Sequence, residues 1–226
     1  MSTANAATFD QQYFQVVKPG GLAERLLRNA RREIFNDFMS MCRPDQRATI
    51  LDVGVSDVVN DASNFLEQTY PHPGQITAAG IGTGQGVAEA YGLGRFVHIE
   101  PGAPLPFDDK AFDIVTSNAV IEHVGSRENQ AQFFQELKRV ARQVFITAPN
   151  RYFPVEHHTA IPLFHYWGPT FSLACKGLGK DEWLDPGNLI LTSLGDLQRL
   201  SASARVGYTG LPLGPFSSNL FLHSTD

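Results

Sequence analysis

The sequence predicts an α/β fold, a mostly parallel sheet with helices on both faces, and three observations carry that prediction. Short, nearly continuous apolar segments recur at Ala48–Val53 (ATILDV), Gln75–Ile81, Arg95–Ile99, Phe112–Ser117 and Gln143–Ala148. Strands covered on both faces read as such runs rather than as alternating patterns. Between them lie helical patterns at Ala62–Tyr70, Gln85–Tyr91 and Ser126–Ala141, so the order is βαβαβ, the mark of crossover-connected parallel strands. Finally, 226 residues that are 42% hydrophobic and only 18% charged can bury a sizeable core, which excludes disorder as the main state.

Residues 1–47 are expected to form an N-terminal tail and an amphipathic helical extension, and residues 48–226 the main domain. After Pro19, Gly20 and Gly21, a turn sequence, Leu22, Leu26, Ala30, Ile34 and Phe38 recur at spacing four, with Leu27, Phe35 and Met41 widening the stripe. Arg25, Arg28 and Arg32 share another face, read as solvated beside Glu24, Glu33 and Asp37, or else as reaching over a substrate cleft. The Ser126 helix is the clearest, with a capping serine and a stripe of Phe133, Phe134, Leu137, Val140 and Ala141.

From residue 150 to 190 the regular pattern lapses into a stretch rich in proline, glycine and aromatic residues, too long for a tight connection and expected to act as an acceptor-side loop or lid. Phe153, Phe164, Tyr166, Trp167 and Phe171 are read first as that lid's own core and second as the lining of an apolar acceptor site. A short helix at Ser193–Ser201 and extended segments at Val206–Tyr208 and Asn219–His223 are expected to close the sheet with an antiparallel edge.

A net charge of −5 argues against a nucleic-acid partner. Cys42 and Cys175, with no CxxC spacing, support neither a disulfide scaffold nor a thiolate zinc site. Neither a secretory leader pattern nor an apolar run of membrane-spanning length is present, so a cytoplasmic protein without integral membrane association is expected. The oligomeric state is left open.

Open parallel sheets bind ligands beyond the carboxyl ends of their strands. Candidate site residues are therefore Asp52, Gly54 and Ser56; Gly80 and Gly82; Glu100; and Asn118 and Ala119. DVGVSD stands where a dinucleotide site would carry GxGxxG, which weakens a nicotinamide or flavin reading.

ILDVG at 50–54, ITAAGI at 76–81, LPFDDKAFDIV at 105–115 and SNAVIEHVG at 117–125 are followed by NQAQFFQELKRVAR at 129–142 and TAPNRYFPVEHHT at 147–159. Together these segments resemble the class I S-adenosylmethionine-dependent methyltransferases, particularly the Methyltransferase type 11 group, over Ala48–Leu163. The resemblance implies a Rossmann-like seven-stranded methyltransferase fold, S-adenosyl-L-methionine as cofactor, and methyl transfer to a small-molecule acceptor such as a glycan or lipid-linked intermediate. It places Asp52 and Gly54 on the methionine side of the cofactor and Asn118 and Ala119 beneath it. Two departures stand out. Val55, Ser56 and Asp57 replace the usual third-glycine region, and Gly82 stands where the family carries an acid for the ribose hydroxyls. Glu100 is the candidate replacement, and restoring an acid at position 82 is expected to add ribose contacts. These departures also keep open a noncatalytic methyltransferase-like binding or scaffolding protein.

On the acceptor side, Glu156, His157 and His158 follow the fifth strand. His158 is the candidate catalytic base, because imidazole takes up a proton near neutral pH and a neighbouring carboxylate can orient it. Glu122 and His123 either reach the acceptor or serve the start of the following helix. No compact ligand spacing such as HExxH is present, so no metal is expected.

Overall fold

The computed structural model describes residues 22–59, 64–84 and 86–226. The expected N-terminal tail, the turn at residues 19–21 and the first residues of the helices expected from Ala62 and Gln85 lie outside the described residues.

The elements, in chain order, are α1 (Leu22–Cys42), β1 (Ile50–Val53), α2 (Phe65–Thr69), β2 (Ile76–Gly80), α3 (Val87–Tyr91), β3 (Arg95–His98), β4 (Phe112–Asn118), α4 (Arg127–Val140), β5 (Ala141–Pro149), α5 (Gly168–Leu178), α6 (Leu194–Leu200), β6 (Arg205–Thr209) and β7 (Asn219–Thr225). They build one seven-stranded sheet in the order β3-β2-β1-β4-β5-β7-β6. β1 to β5 pair in parallel, while β7 pairs antiparallel with both β5 and β6, so β7 alone is reversed. The antiparallel closure expected from the last two segments is present, with β7 inside the sheet and β6 at its edge.

Alternation along β1 separates two cores. Leu51 and Val53 point to a layer with Phe134, Leu137 and Val140 of α4 and Leu197 of α6. Ile50 points the other way, to Ile34, Phe38 and Cys42 of α1 and to Ile76, Ile114, Phe145 and Phe221. The α1 stripe is thereby explained: Phe38 meets Phe145 edge-on at 5.7 Å, and Phe145 stacks on Phe221 at 6.1 Å. Arg25, Arg28 and Arg32 are exposed, as their acidic neighbours suggest.

The LPFDD segment is held by two side chains of α4, with Glu136 accepting from the Leu105 N–H at 3.1 Å. Arg139 donates to the carbonyls of Leu105 and Phe107, at 2.9 and 2.7 Å, and pairs with Asp109 and Glu136. Ser126 and Ser193 both cap their helices, accepting from the N–H groups of Asn129 and Asp196, and Asp196 completes a capping box.

Two expectations for residues 150–190 need correction. The stretch contains a helix, α5, which the sequence disguises because its proline and glycine are terminators. Pro169 occupies the first turn, and Gly179, at φ +66°, closes the end. The lid aromatics are also not a lid core. Phe171 alone is buried, with Ile161 and Cys175, whereas Phe164, Tyr166 and Trp167 are exposed and Phe153 is half-buried. Cys42 and Cys175 are free and buried, and burial pushes the Cys42 thiol up to about 12. Among the described residues, no helix is long and apolar enough to cross a membrane.

Candidate functional site

The carboxyl ends of β1, β2, β3 and β4 open into a cleft of about 1630 Å³, which α1 and the 150–190 segment border. Ligand pockets of about 300–1,000 Å³ hold one drug-sized molecule, so this volume exceeds what one such molecule fills.

Six of the eight residues expected at the cofactor line this cleft: Asp52, Gly54, Gly80, Glu100, Asn118 and Ala119. Gly54 sits at φ +100°, and a Cβ there would lie 2.2 Å from Val120 Cγ2; at Gly80 a Cβ would lie 2.5 Å from the Val55 carbonyl oxygen. Glycine lets the β1 and β4 loops close on each other while keeping backbone at the ligand edge. Ala119 also has positive φ, 56°, and its N–H donates to the Thr147 carbonyl at 3.0 Å. The Thr147 hydroxyl donates to Asn118 Oδ1, which fixes the end of β4.

Ser56 and Gly82 are placed differently. Ser56 is buried off the cleft. Its N–H donates to Asn64 Oδ1 at 3.1 Å and its carbonyl accepts from the Asn64 amide at 3.0 Å, so it anchors the β1 loop. Gly82 lies against Asp57, whose carboxylate accepts from the N–H groups of Thr83 and Gly84, both at 2.6 Å. A carboxylate therefore does stand beside the end of β2, supplied by the β1 loop and engaged with backbone. The Gly82 carbonyl meets His98 Nδ1 at 3.0 Å, and His98 Nε2 meets Glu100 at 3.0 Å. Both partners are acceptors, so they favour the imidazolium form of His98, whose pKa is raised by Glu100 and then by Gly82.

Asp52 does not stand alone. Burial, then the charge and hydrogen bond of Glu67, lift its carboxyl well above the usual range; burial also raises Glu67, while Arg31 opposes both shifts. Two buried carboxyls in contact retain a proton between them. Sequence reasoning missed Glu67 and Arg31, though both left a signal. Glu67 continues the buried spacing Asn64, Glu67, Tyr70, and Arg31 interrupts the stripe between Leu27 and Ile34.

The five residues expected on the acceptor side come together, and four of them, His123, Glu156, His157 and His158, line the cleft. Glu156 accepts from the N–H of Thr159 and its hydroxyl, both at 2.6 Å, from the N–H of His158, and from His158 Nδ1 at 2.8 Å. Burial pushes Glu156 up, but the His158 ring and the Thr159 donor outweigh it and hold the carboxyl at about 2. Burial likewise works against the charged form of His158, yet Glu156 raises its pKa. His123 Nδ1 lies 2.7 Å from the Asn188 carbonyl, and its Nε2 lies 3.1 Å from His158 Nε2. Burial and then His158 drive His123 down to about 4, and burial takes His157 to about 4 as well. Burial pushes Glu122 up to about 7. Trp183, which sequence reasoning also missed, lies with its ring centroid 4.9 Å from that of His158 and 6.3 Å from that of His123, packing the pair. The linear spacing showed no compact ligand set, but folding brings potential ligand atoms of Glu122, His123 and His158 within 4.8 Å of one another. An imidazole whose Nδ1–H is tied to an acceptor presents a basic Nε2, which can take a proton or a cation.

Residues 82–144 match the family model described as a methyltransferase domain. No curated protein matches the chain in sequence. Solved structures similar to it include a SAM-dependent methyltransferase from Aquifex aeolicus, 15% identical with a TM-score of 0.52, covering 99% of this chain and 97% of that one. Magnesium protoporphyrin IX methyltransferase from Synechocystis PCC 6803, solved with bound SAH, is 14% identical with a TM-score of 0.57, covering 98% of this chain and 95% of that one. The PH0226 protein from Pyrococcus horikoshii OT3 is 12% identical with a TM-score of 0.57, covering 95% and 94% respectively. In its sheet order and its ligand edge the chain has the fold of the class I S-adenosylmethionine-dependent methyltransferases, and the matched segment is similar to their methyltransferase domain.

Proposed function

We propose that the protein transfers the methyl group of S-adenosyl-L-methionine to a small-molecule acceptor, of the class of a glycan or lipid-linked intermediate, and that it works in the cytoplasm. The observation that carries this reading is one continuous cleft whose lining runs from Gly54 and Asn118 at the sheet edge to His123 and His158 under the lid. The cofactor brings an activated methyl on a sulfonium, so the protein's work is to align acceptor, methyl and sulfur and to exclude water. Asp52, Gly54, Asn118 and Ala119 serve the cofactor end, with Glu100 toward its ribose or adenine. His158, oriented by Glu156, is the catalytic group that meets the reacting atom of the acceptor; Glu122, His123 and His157 complete that wall.

Calorimetry with S-adenosylmethionine and S-adenosylhomocysteine, followed by an acceptor screen with the isotopically labelled cofactor, tests the reading. His158→Ala should lower turnover while leaving cofactor affinity within about twofold, because its contacts belong to the reacting centre. Absence of cofactor binding by folded protein would refute catalysis and leave a binding or scaffolding module.

A further inference from the structure

We propose that Glu122, His123 and His158 hold a first-row divalent transition-metal cation, with a coordination position left open toward the cleft for an oxygen of a hydroxyl-bearing acceptor. The inference rests on the acceptor wall proposed above and specifies how His158 meets the acceptor: through a cation bound at its Nε2 rather than by direct contact.

The argument begins with proton bookkeeping on two rings. His123 Nδ1 lies 2.7 Å from the carbonyl oxygen of Asn188, which has no proton to give, so the ring donates there. His158 Nδ1 lies 2.8 Å from Glu156 Oε1, of a carboxylate whose Oε2 accepts from Thr159, so this ring donates there as well. In the neutral rings both remaining nitrogens, the two Nε2 atoms, carry lone pairs, and the fold sets them 3.1 Å apart. A proton on His158 Nε2 bridges the pair in the metal-free protein, and a metal cation can take that proton's place between the two nitrogens. The third group is Glu122, whose side chain is 1% exposed and whose two oxygens receive no hydrogen bond from the described residues. Its Oε1 lies 3.9 Å from His123 Nε2. A buried carboxyl without donors either keeps its proton or is balanced by positive charge, and a cation at this point would add to the charge of His158 and Arg31 that already acts on it.

Ligand bonds of about 2.0–2.2 Å set neighbouring ligand atoms about 3–4 Å apart, so this group, all within 4.8 Å, needs only a small contraction. The supporting shell is already in place. Metal-bound histidines characteristically donate their other ring N–H to a carbonyl or a carboxylate, which is what His123 and His158 do. Two imidazoles and one carboxylate suit zinc, iron(II), cobalt(II) or manganese rather than calcium or magnesium. Three protein ligands leave a position free, and His123 and His158 both line the cleft. The separation of 35 positions between these two histidines hid the set from any reading of linear spacing.

The test uses tag-free full-length protein, stripped with a chelator and titrated with Co²⁺. Visible absorption and metal content after gel filtration are the readouts, with Zn²⁺ as competitor. The expected result is one Co²⁺ per chain, displaced by Zn²⁺, with affinity lowered at least about tenfold in both Glu122→Gln and His123→Ala. Glu122→Gln preserves shape, and S-adenosylhomocysteine binding reports on the fold of each variant. His72→Ala, on the opposite edge of the sheet, should leave Co²⁺ binding unchanged. No stoichiometric binding at ~0.1 mM Co²⁺, or binding that survives both ligand substitutions, would overturn the proposal. Cofactor binding without metal binding defeats this inference and leaves the methyl-transfer reading standing; metal binding without cofactor binding does the reverse.

Discussion

Gly82→Ala is expected to destabilise the protein through Asp57. A Cβ at position 82 would lie 2.1 Å from Asp57 Oδ2 and 2.3 Å from its Cγ, well inside contact distance. The Asp57 side chain is short and is tied to the N–H groups of Thr83 and Gly84, so it must swing away and release both. Hydrogen bonds to charged groups contribute about 1.5–3 kcal/mol each, and partial exposure of the turn reduces the sum to roughly 2 kcal/mol. At about 2–4 °C per kcal/mol for a chain of this length, Tm should fall by about 4–8 °C in a thermal melt. The same mechanism predicts strong coupling. Asp57→Ala removes the hydrogen bonds itself, so adding Gly82→Ala to it should cost little more, giving an interaction of about 2 kcal/mol in a double-mutant cycle. Gly82→Asp, which the family pattern suggests would gain ribose contacts, should instead lose more than Gly82→Ala, because it sets a second carboxylate against Asp57. A melting temperature unchanged by Gly82→Ala, or strictly additive costs in the cycle, would refute the reasoning.

Further outcomes follow from the same structure. Raised carboxyl pKa values at Asp52 and Glu67 mean that the folded state binds more protons than the unfolded chain above pH about 4, so their contribution to stability falls as pH rises; Glu67→Gln should flatten the decline in Tm as pH rises above about 4, and an unaltered slope would count against a shared proton. Gly54→Ala combines a positive φ with a 2.2 Å approach to Val120, and should cost at least about 2 kcal/mol together with most of the cofactor affinity seen by calorimetry. Ser193→Ala removes the cap of α6 and should cost about 1 kcal/mol, read as a drop in Tm of about 2–4 °C with cofactor affinity unchanged.

The central strands were legible because they are buried on both faces: ILDV and the apolar part of FDIVTSN announce themselves without any knowledge of their neighbours. Helix ends marked by a side chain were equally plain, as at Ser126 and Ser193. α5 was not legible, since Pro169 and Gly179 are breakers inside a helix and terminators at its ends, and sequence alone does not say which. At the site, residues delivered by strand ends could be named from topology, hence Gly54, Asn118 and Ala119. Ser56 and Gly82 satisfy the same positional rule, yet the 54–57 loop turns Ser56 toward Asn64 and sets Asp57 against Gly82. The contacts of Asp52 with Glu67, and of His123 with His158, join segments far apart in sequence, and no local pattern encodes a distance between side chains.

The reversed strand β7 has a bearing on how the sheet is completed. Residues 219–225 follow every other strand in the chain, yet they lie between β5 and β6, and each of the seven is paired with β5. Until they dock, Ile146 and Ala148 sit on an open sheet border and β6 has nothing to pair with. Such a border is a template for strand addition by any other chain. A nascent or proteolysed polypeptide lacking these seven residues would therefore present an adhesive apolar ribbon, and quality control of this protein should be acutely sensitive to damage after Ser218.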